Sequence, residues 1–542
     1  MKTNILQMTL YAFCCVTLMN NQLKAQVPNW DWAKTAGGVL SDVAYSVTTD
    51  ANGNVIVAGS FSSTSITFGS NILTNTNAAT RDVFLVKYDA SGSVIWAKSN
   101  GSSDEDVSKS VTTDASGNIY VAGYFTGTAI TFGTYTLVNT SATFRDVFLV
   151  KYDVSGNVLW ARSAGGKYHD EATFLSTDPT GNILMTGFFL ADSIIFGTDT
   201  LLNTGSNDMF VVKYNTSGNV LWANSEGGNV DEKGESIASD ADGNVLVAGS
   251  FTSQTITIGS TTLIYAGGAY SDIFLVKYDS SGAVVWVKGA GGDYLDEPDC
   301  VTADANGNIY MSGIVYSTYI VFGADTLFNS GYTFYGDMFL VKYDAAGNVL
   351  WSEGSGNGNN NDWCSSVEPD GSGNIIITGA YGSTINLDTI ALSNGPGIFV
   401  AKYNGSGNAL WAVEVKNGIG NSIATDNYGN MYVAGYHYGD SITFGNTTLV
   451  NAGSNDMFVA RLTDSLLVGI NTDELTISPV YVFPNPTTGK FTVVNKSGEI
   501  TVCDLFGRLL LRSKEVLIDM SSYPAGFYIW RVGNATGTLV IK

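Results

Sequence analysis

Histidine, cysteine and basic residues are all scarce in this chain, and each shortage removes a class of function. The two histidines, His169 and His437, stand far apart without metal-ligand spacing and read as isolated surface residues. Of five cysteines, Cys14 and Cys15 fall in the N-terminal leader, and Cys300, Cys364 and Cys503 are scattered, which gives neither a disulfide framework nor a thiolate metal site. Lys and Arg total 26 against 49 Asp and Glu, a net charge of −23 that is unsuited to neutralising phosphates, so nucleic acid is excluded as a partner. No zinc-protease motif, phosphate loop or nucleophile elbow occurs. No segment repeats its apolar residues at helical spacing, and no apolar run is long enough to span a bilayer.

What is present is a repeat. Asp-x-x-Gly-Asn followed by an alternating apolar strand occurs at Asp50, Asp114, Asp178, Asp240, Asp304, Asp370 and Asp426, about every 64 residues. A tryptophan stands eighteen residues before the Asp in five copies, as in Trp32 to Asp50, while Trp351 and Trp411 serve the two divergent ones. A second pattern, Asp82-Val-Phe-Leu-Val-Lys-Tyr, recurs from Asp146, Asp208, Asp272 and Asp337, always fourteen residues before the next tryptophan. That constancy predicts a hairpin with fixed register. The stretch between the two patterns drifts in length and reads as loop.

Each unit thus predicts four antiparallel strands rich in Val, Ile, Phe, Tyr and Thr. In the first unit these are a (Tyr45 to Thr49), b (Asn54 to Phe61), c (Val83 to Tyr88) and d (Val94 to Lys98). Seven such units cannot bury both sheet faces alone but can do so packed radially, which predicts an all-β, seven-bladed β-propeller over residues 26–462. The ends agree, because an orphan d strand (Asn29 to Lys34) precedes the first unit and the last stops after strand c at Leu462. Pairing the two would close the ring and remove its free edges.

The repeat Asp-Val-Phe-Leu-Val-Lys-Tyr-Asp-x-Ser-Gly-x-Val-x-Trp, then Gly-Gly, then Asp-x-x-Gly-Asn-Val-x-Val-Ala-Gly, resembles the seven-bladed β-propeller repeat of secreted bacterial proteins. That family is defined by fold, so the resemblance implies no activity.

The ends of the chain address it. Lys2, an apolar run from Ile5 to Met19 and a polar stretch through Lys24-Ala25 read as a signal peptide over residues 1–25. Neither Cys14 nor Cys15 follows the small residues of a lipid-attachment site. Cleavage would remove Lys2 and Lys24 and no acid, taking the net charge from −23 to −25. A linker (463–479) leads to residues 480–542, where short strands broken by Pro, Asn and Gly turns predict a small β-sandwich. Pro484-Asn485-Pro486, Gly489, Asp504-x-x-Gly507 and Pro524-x-Gly526-x-Tyr528 closely resemble the type A C-terminal sorting domain of type IX secretion. The resemblance implies the type IX machinery as a partner, passage through the periplasm of a Gram-negative bacterium, and release or display at its surface.

Three polar patterns are candidate sites. Asp50-Ala-Asn-Gly-Asn54 resembles the start of a calcium loop but lacks the distal Glu, and other copies replace the middle ligand, so each Asp reads as bonding its own turn. A basic residue recurs in strand c, at Lys87, Lys151, Lys213, Lys277, Lys342, Lys402 and Arg461, and reads as scaffold with its stem along the neighbouring blade and its head on a carboxylate. The d-to-a loops carry Asp104-Glu105-Asp106, Asp170-Glu171, Asp231-Glu232 and Asp296-Glu297, with single acids at Asp42 and Asp362. This acidic loop face is the candidate binding face, and a solvated rim is its plain alternative. The expectation is a monomeric, non-catalytic binding or adhesion module without a cofactor, taking an extracellular protein or glycan. Two alternatives stay open: calcium held by the loop acids, and a glycan-active enzyme in which Glu105 and Glu171 converge at glycosidase spacing.

Overall fold

In the first blade the Asp50 N–H donates to Asn54 O at 3.0 Å and the Gly53 N–H to Asp50 O at 2.9 Å, with Gly53 at φ +76°, so the Asp-x-x-Gly-Asn motif closes a tight a-to-b turn. The Asp50 side chain completes it, accepting the N–H groups of Asn52 and Asn54. From this turn run strands a (Asp42–Thr49) and b (Val55–Phe61), then c (Asp82–Tyr88) and d (Val94–Asn100), paired antiparallel in that order.

The computed structural model describes residues 28–542 except 78–79, 268–269, 330–334, 357–359, 465–480, 495–498, 506–507 and 533–534. The expected signal peptide, most of the linker and Gly507 therefore lie outside the described residues. Every described element is a strand, and the repeat forms seven four-stranded sheets. The described chain divides between residues 466 and 467 into two compact units.

Each a strand touches the a strands of both neighbouring sheets, and that of the first sheet touches that of the seventh, so the sheets close into a ring with strand a innermost. The seventh blade takes its outer strand from the start of the chain: Asn29–Ala36 pairs antiparallel with Asp456–Thr463, from Asn29 opposite Thr463 to Ala36 opposite Met457. The first unit is a closed β-propeller.

Radial packing explains the burial. Strands b and c of the first blade are buried at every position, because each has a blade on both faces. A small latch joins neighbouring a strands at six junctions: the N–H of Val111 donates to Ser46 Oγ at 3.1 Å, equivalent bonds follow, and Val47 donates to Ser422 at 3.2 Å, whereas Phe174 stands at the serine position of the third blade. Cys300 takes the serine's place in one latch, accepting the N–H of Val367 at 3.5 Å. It therefore occupies a regular position of the repeat, and burial pushes its thiol up to about 11.

Three expectations need correction. The stretch read as loop between strands b and c carries a two-stranded hairpin in every blade, as in Ser65–Phe68 with Asn71–Thr74, whose inward residues Ile66, Phe68 and Leu73 cap the blade's core. Strand a starts three residues earlier than read, at Asp42. His437 is buried rather than at the surface, beside Thr35 Oγ1 at 3.1 Å, and desolvation lowers it to about 4. His169 is half-buried, edge-on to Phe144.

The second unit packs a three-stranded sheet with a four-stranded one around Phe491, Val502, Ile518, Trp530 and Leu539, a small β-sandwich. Its motif residues fasten the last strand. Asn485 donates to Thr538 O at 2.6 Å and accepts the Val540 N–H at 2.9 Å. Gly489 passes so close to Ser521 that a Cβ would lie 2.6 Å from its Cα. The Tyr528 hydroxyl donates to Pro524 O, just before Gly526 opens its strand.

Candidate functional site

The turn face of the ring is scaffold. Lys213 Nζ sits 2.8 Å from Asp178 Oδ2 of its own blade and reaches Ser280 O of the next blade at 3.4 Å. Trp222 Nε1 donates to that same carbonyl at 3.2 Å. Desolvation would raise Asp178, but Lys213, Asn182 and Thr180 outweigh it and hold the carboxyl at about 2. The pattern recurs at Lys87 with Asp50, Lys277 with Asp240 and Lys402 with Asp370. The carboxylate is thus the blade's own, and the neighbouring blade supplies a carbonyl, except at Lys402, where Asp464 offers a second carboxylate at 2.9 Å to the lysine and at 3.2 Å to Trp411 Nε1. Arg461 and Trp32 make the corresponding contacts with Ala90 O and so seal the ring.

The loop face separates the candidate acids into two groups. Asp106, Asp170, Glu232 and Asp296 are the first residues of their a strands and are wholly buried, so they do not belong to a solvated rim. Each holds a loop backbone: Asp106 accepts the Ser102 N–H, Asp170 that of Gly166 at 2.6 Å, Glu232 that of Gly228 at 2.6 Å, and Asp296 that of Ser317 at 3.2 Å. Burial raises Asp106 to about 8 and Asp170 and Asp296 to about 7. Asp42 and Asp362 stand in equivalent places. The loop glycines serve the same corner, since a Cβ on Gly101 would lie 2.2 Å from the Asp82 carboxyl.

The second group is more accessible except for Glu171, which is buried. Asp104 is exposed, and Asp231 accepts Asn207 Nδ2 at 2.7 Å. Glu105 and Glu171 do converge, but on a cation: Arg145 bonds Glu171 at 2.8 Å and Glu105 at 3.4 Å, Lys109 pairs with Glu171 at 2.9 Å, and Arg81 pairs with Glu105. Tyr124 lies beneath Arg145, 4.1 Å from guanidinium carbon to ring centre.

Sequence reasoning missed the residues that line the channel mouth. Every a strand carries a β-bulge, and the unpaired residue is Tyr45, Lys109, Thr173, Glu235, Asp299, Ser365 and Asn421 in turn. A bulge re-aims one side chain, here near the middle of the innermost strand on its loop-face side, as at Tyr45 within Asp42–Thr49. Two residues further, Val47, Val111, Leu175, Ile237, Val301, Val367 and Ile423 form an apolar girdle around a channel cavity of ≈ 240 Å³. The available signal was positional, because each bulge residue stands five places before its repeat Asp.

The mouth is electrically divided. Arg81, Lys109 and Arg145 cluster over the first two blades, with Lys109 5.9 Å from the Tyr45 ring centre. Across the channel Glu235, Glu297 and Asp299 lie within electrostatic range of one another, faced by Lys233. Burial pushes Glu235 up to about 7, and burial plus the two neighbouring carboxylates raises Asp299 well above the usual range. Among the described residues no group of three or more His, Cys, Asp or Glu is arranged to hold a metal.

Residues 481–542 match the family described as the secretion system C-terminal sorting domain. The chain carries a secretion sorting tail. That tail implies type IX secretion machinery and export beyond the cell. The chain is similar to an uncharacterized WD repeat-containing protein, L264, of Acanthamoeba polyphaga mimivirus, at 25% identity over 65% of this chain and 30% of that protein. It is also similar to the regulatory protein FlaEY of Caulobacter vibrioides, at 29% identity over 35% of this chain and 19% of that protein. The chain thus spans under a third of the length of either curated relative. Among solved structures it is similar to the Dos1 propeller, with 8% identity, TM-score 0.41, and 82% of this chain and 97% of that one covered. A protein of unknown function from Bacteroides caccae gives 10% identity, TM-score 0.30, and coverage of 61% and 89%. No helix among the described residues is long and apolar enough to cross a membrane.

Proposed function

We propose that this protein is a secreted or surface-displayed propeller of the seven-bladed repeat family, acting as a non-catalytic binding or adhesion module through the channel mouth. The observation that carries the reading is the bulge ring. Scaffold positions keep their residue type from blade to blade, whereas the ring places Tyr45, Lys109, Thr173, Glu235, Asp299, Ser365 and Asn421 at one structurally repeated point. Different side chains held by identical rigid backbones make an asymmetric recognition surface. Its ion-paired Arg–Lys–Glu cluster and the carboxyls facing it suit a polar extracellular protein or glycan.

The glycan-active alternative has less support at the pair that suggested it, because Glu105 and Glu171 share the Arg145 guanidinium as ion-paired carboxylates. Glycan-array and pull-down experiments with the purified chain test the binding reading. Lys109→Ala with Glu235→Gln should abolish any ligand found while the melting transition persists. A ligand retained by that variant, or glycan cleavage by the wild type, would overturn it.

A further inference from the structure

The first two blade junctions each bury a pair of carboxylates, Asp82 with Asp106 and Asp146 with Asp170, all four at most 1% exposed. Backbone bonds bring each pair together. Asp106 N–H donates to Arg81 O at 2.7 Å and Asp170 N–H to Arg145 O at 2.9 Å, so each strand-a Asp is pinned to the residue preceding its partner. In all four carboxylates Oδ2 accepts a loop N–H; Oδ1 of Asp82 and Asp146 is buried without a hydrogen-bond partner, while the Asp106 and Asp170 carboxylates also face the backbone N–H groups of Thr126 and of Leu190 and Ala191. The Asp82 charge acts on Asp106, and that of Asp146 on Asp170. Two buried like charges are costly unless a cation or a shared proton lies between them.

We propose that each of these two junctions binds one hard divalent cation of the calcium class, bridging the paired Asp carboxylates. The side-chain donors are all oxygen, which suits a hard cation and not a thiolate- or imidazole-seeking one. Loop carbonyls and water would complete the shell. With only two carboxylates, the affinity belongs to the weak class of extracellular modules, a Kd of about 10⁻⁴–10⁻³ M. The ring contains its own comparison, because Gly397 opens strand c of the sixth blade and Gly418 opens strand a of the seventh, so both acids are missing together there. The cation would also order the channel mouth, since Arg81 and Arg145 immediately precede Asp82 and Asp146 in the chain.

The test uses the purified secreted chain, stripped with chelator, dialysed and titrated with calcium chloride. Native mass spectrometry should show at least two bound calcium ions. The Tm should rise by roughly 3 °C for each site taken to 100 times its Kd. Asp106→Asn with Asp170→Asn should lose two ions and most of that rise, whereas Asp104→Asn with Asp231→Asn should lose neither. Wild-type chain that binds no calcium and shows no shift overturns the proposal. So does a change of stability between pH 6 and 8 that ignores calcium and is lost in Asp106→Asn with Asp170→Asn, which would place a shared proton between the carboxyls.

Discussion

Replacing Lys213 by Met keeps the apolar stem and removes the charge that faces Asp178. Both residues are at most 5% exposed, and the pair stands 2.8 Å apart. Breaking a buried pair from one side costs about 3–5 kcal/mol, because the remaining charge stays desolvated. The low end applies to Lys213→Met, since Asp178 keeps the donors of Thr180 and Asn182. Asp178→Asn falls higher, because Lys213 then keeps only the Ser280 carbonyl at 3.4 Å. The double variant buries no charge and should cost less than the sum of the singles by about 2 kcal/mol. An unfolding entropy of roughly 2 cal/mol/K per residue over a propeller of about 435 residues gives ~0.9 kcal/mol/K, so ~3 kcal/mol lowers Tm by about 3 °C. Calorimetry on the four proteins completes the cycle. Additive singles, or a neutral Lys213→Met, would refute the claim that this ion pair holds the a-to-b turn to strand c within its blade.

The remaining predictions test closure, titration and the tail. Deleting residues 29–36 removes the seventh blade's outer strand and the Trp32 contact to Ala90, so the variant should aggregate or lose cooperative unfolding in a calorimetric scan; an unchanged transition would remove the closure argument. Asp178 is held at about 2, below its unfolded value near 4, so its contribution is complete above about pH 4 and should fade as pH falls towards 2, read as an acid-side loss of Tm that Asp178→Asn lacks. Glu235 and Glu368 are raised by burial to about 7, so the folded state binds more protons than the unfolded one from about pH 4.5 to 7. Stability should therefore decline as pH rises through that window, and Glu235→Gln with Glu368→Gln should flatten the decline. Deleting residues 481–542 should leave the propeller's Tm unchanged and the chain inside the periplasm of its native host; surface display of the truncated chain would sink the sorting assignment.

The ring was legible because each of its devices repeats residue types as well as positions. Asp-x-x-Gly-Asn marks the a-to-b turn, and the Lys of strand c and the Trp of strand d mark the blade contact. The orphan Asn29 strand announced the closure. The b-to-c hairpins stayed hidden because each strand has only three or four residues, as in Ser65–Phe68, and the linking length drifts between copies. Burial of Asp106, Asp170, Glu232 and Asp296 was hidden for another reason. Adjacent acids such as Asp170 and Glu171 look alike in sequence, and only the register of strand a decides which caps the loop and which reaches Arg145.

The same reasoning explains why the bulge ring escaped motif comparison. A bulge leaves one residue outside the backbone register, so its side chain is not fixed by the pairing that constrains its neighbours, although Thr173 bonds Gly234 O and Asn421 bonds Ala44 O. Ser46, one place on, accepts the Val111 N–H, and that position is serine in every blade but two, where Phe174 and Cys300 stand; Val47, two places on, must fill the girdle, and that position stays aliphatic around the ring. Tyr45, Lys109 and Glu235 bear no such duty, so their residue type varies while their placement does not. In a closed array of equivalent blades, recognition has to come from positions that break the sevenfold equivalence without disturbing the ring. The bulge supplies one such position per blade, in the loop-face half of the innermost strand, where Lys109 meets the Tyr45 ring and Glu235 lies within electrostatic range of Asp299. The Arg145 cluster with Glu105 and Glu171 extends that asymmetry onto the loops, which is why the candidate acids lie beside the site while the scaffold acids lie beneath it.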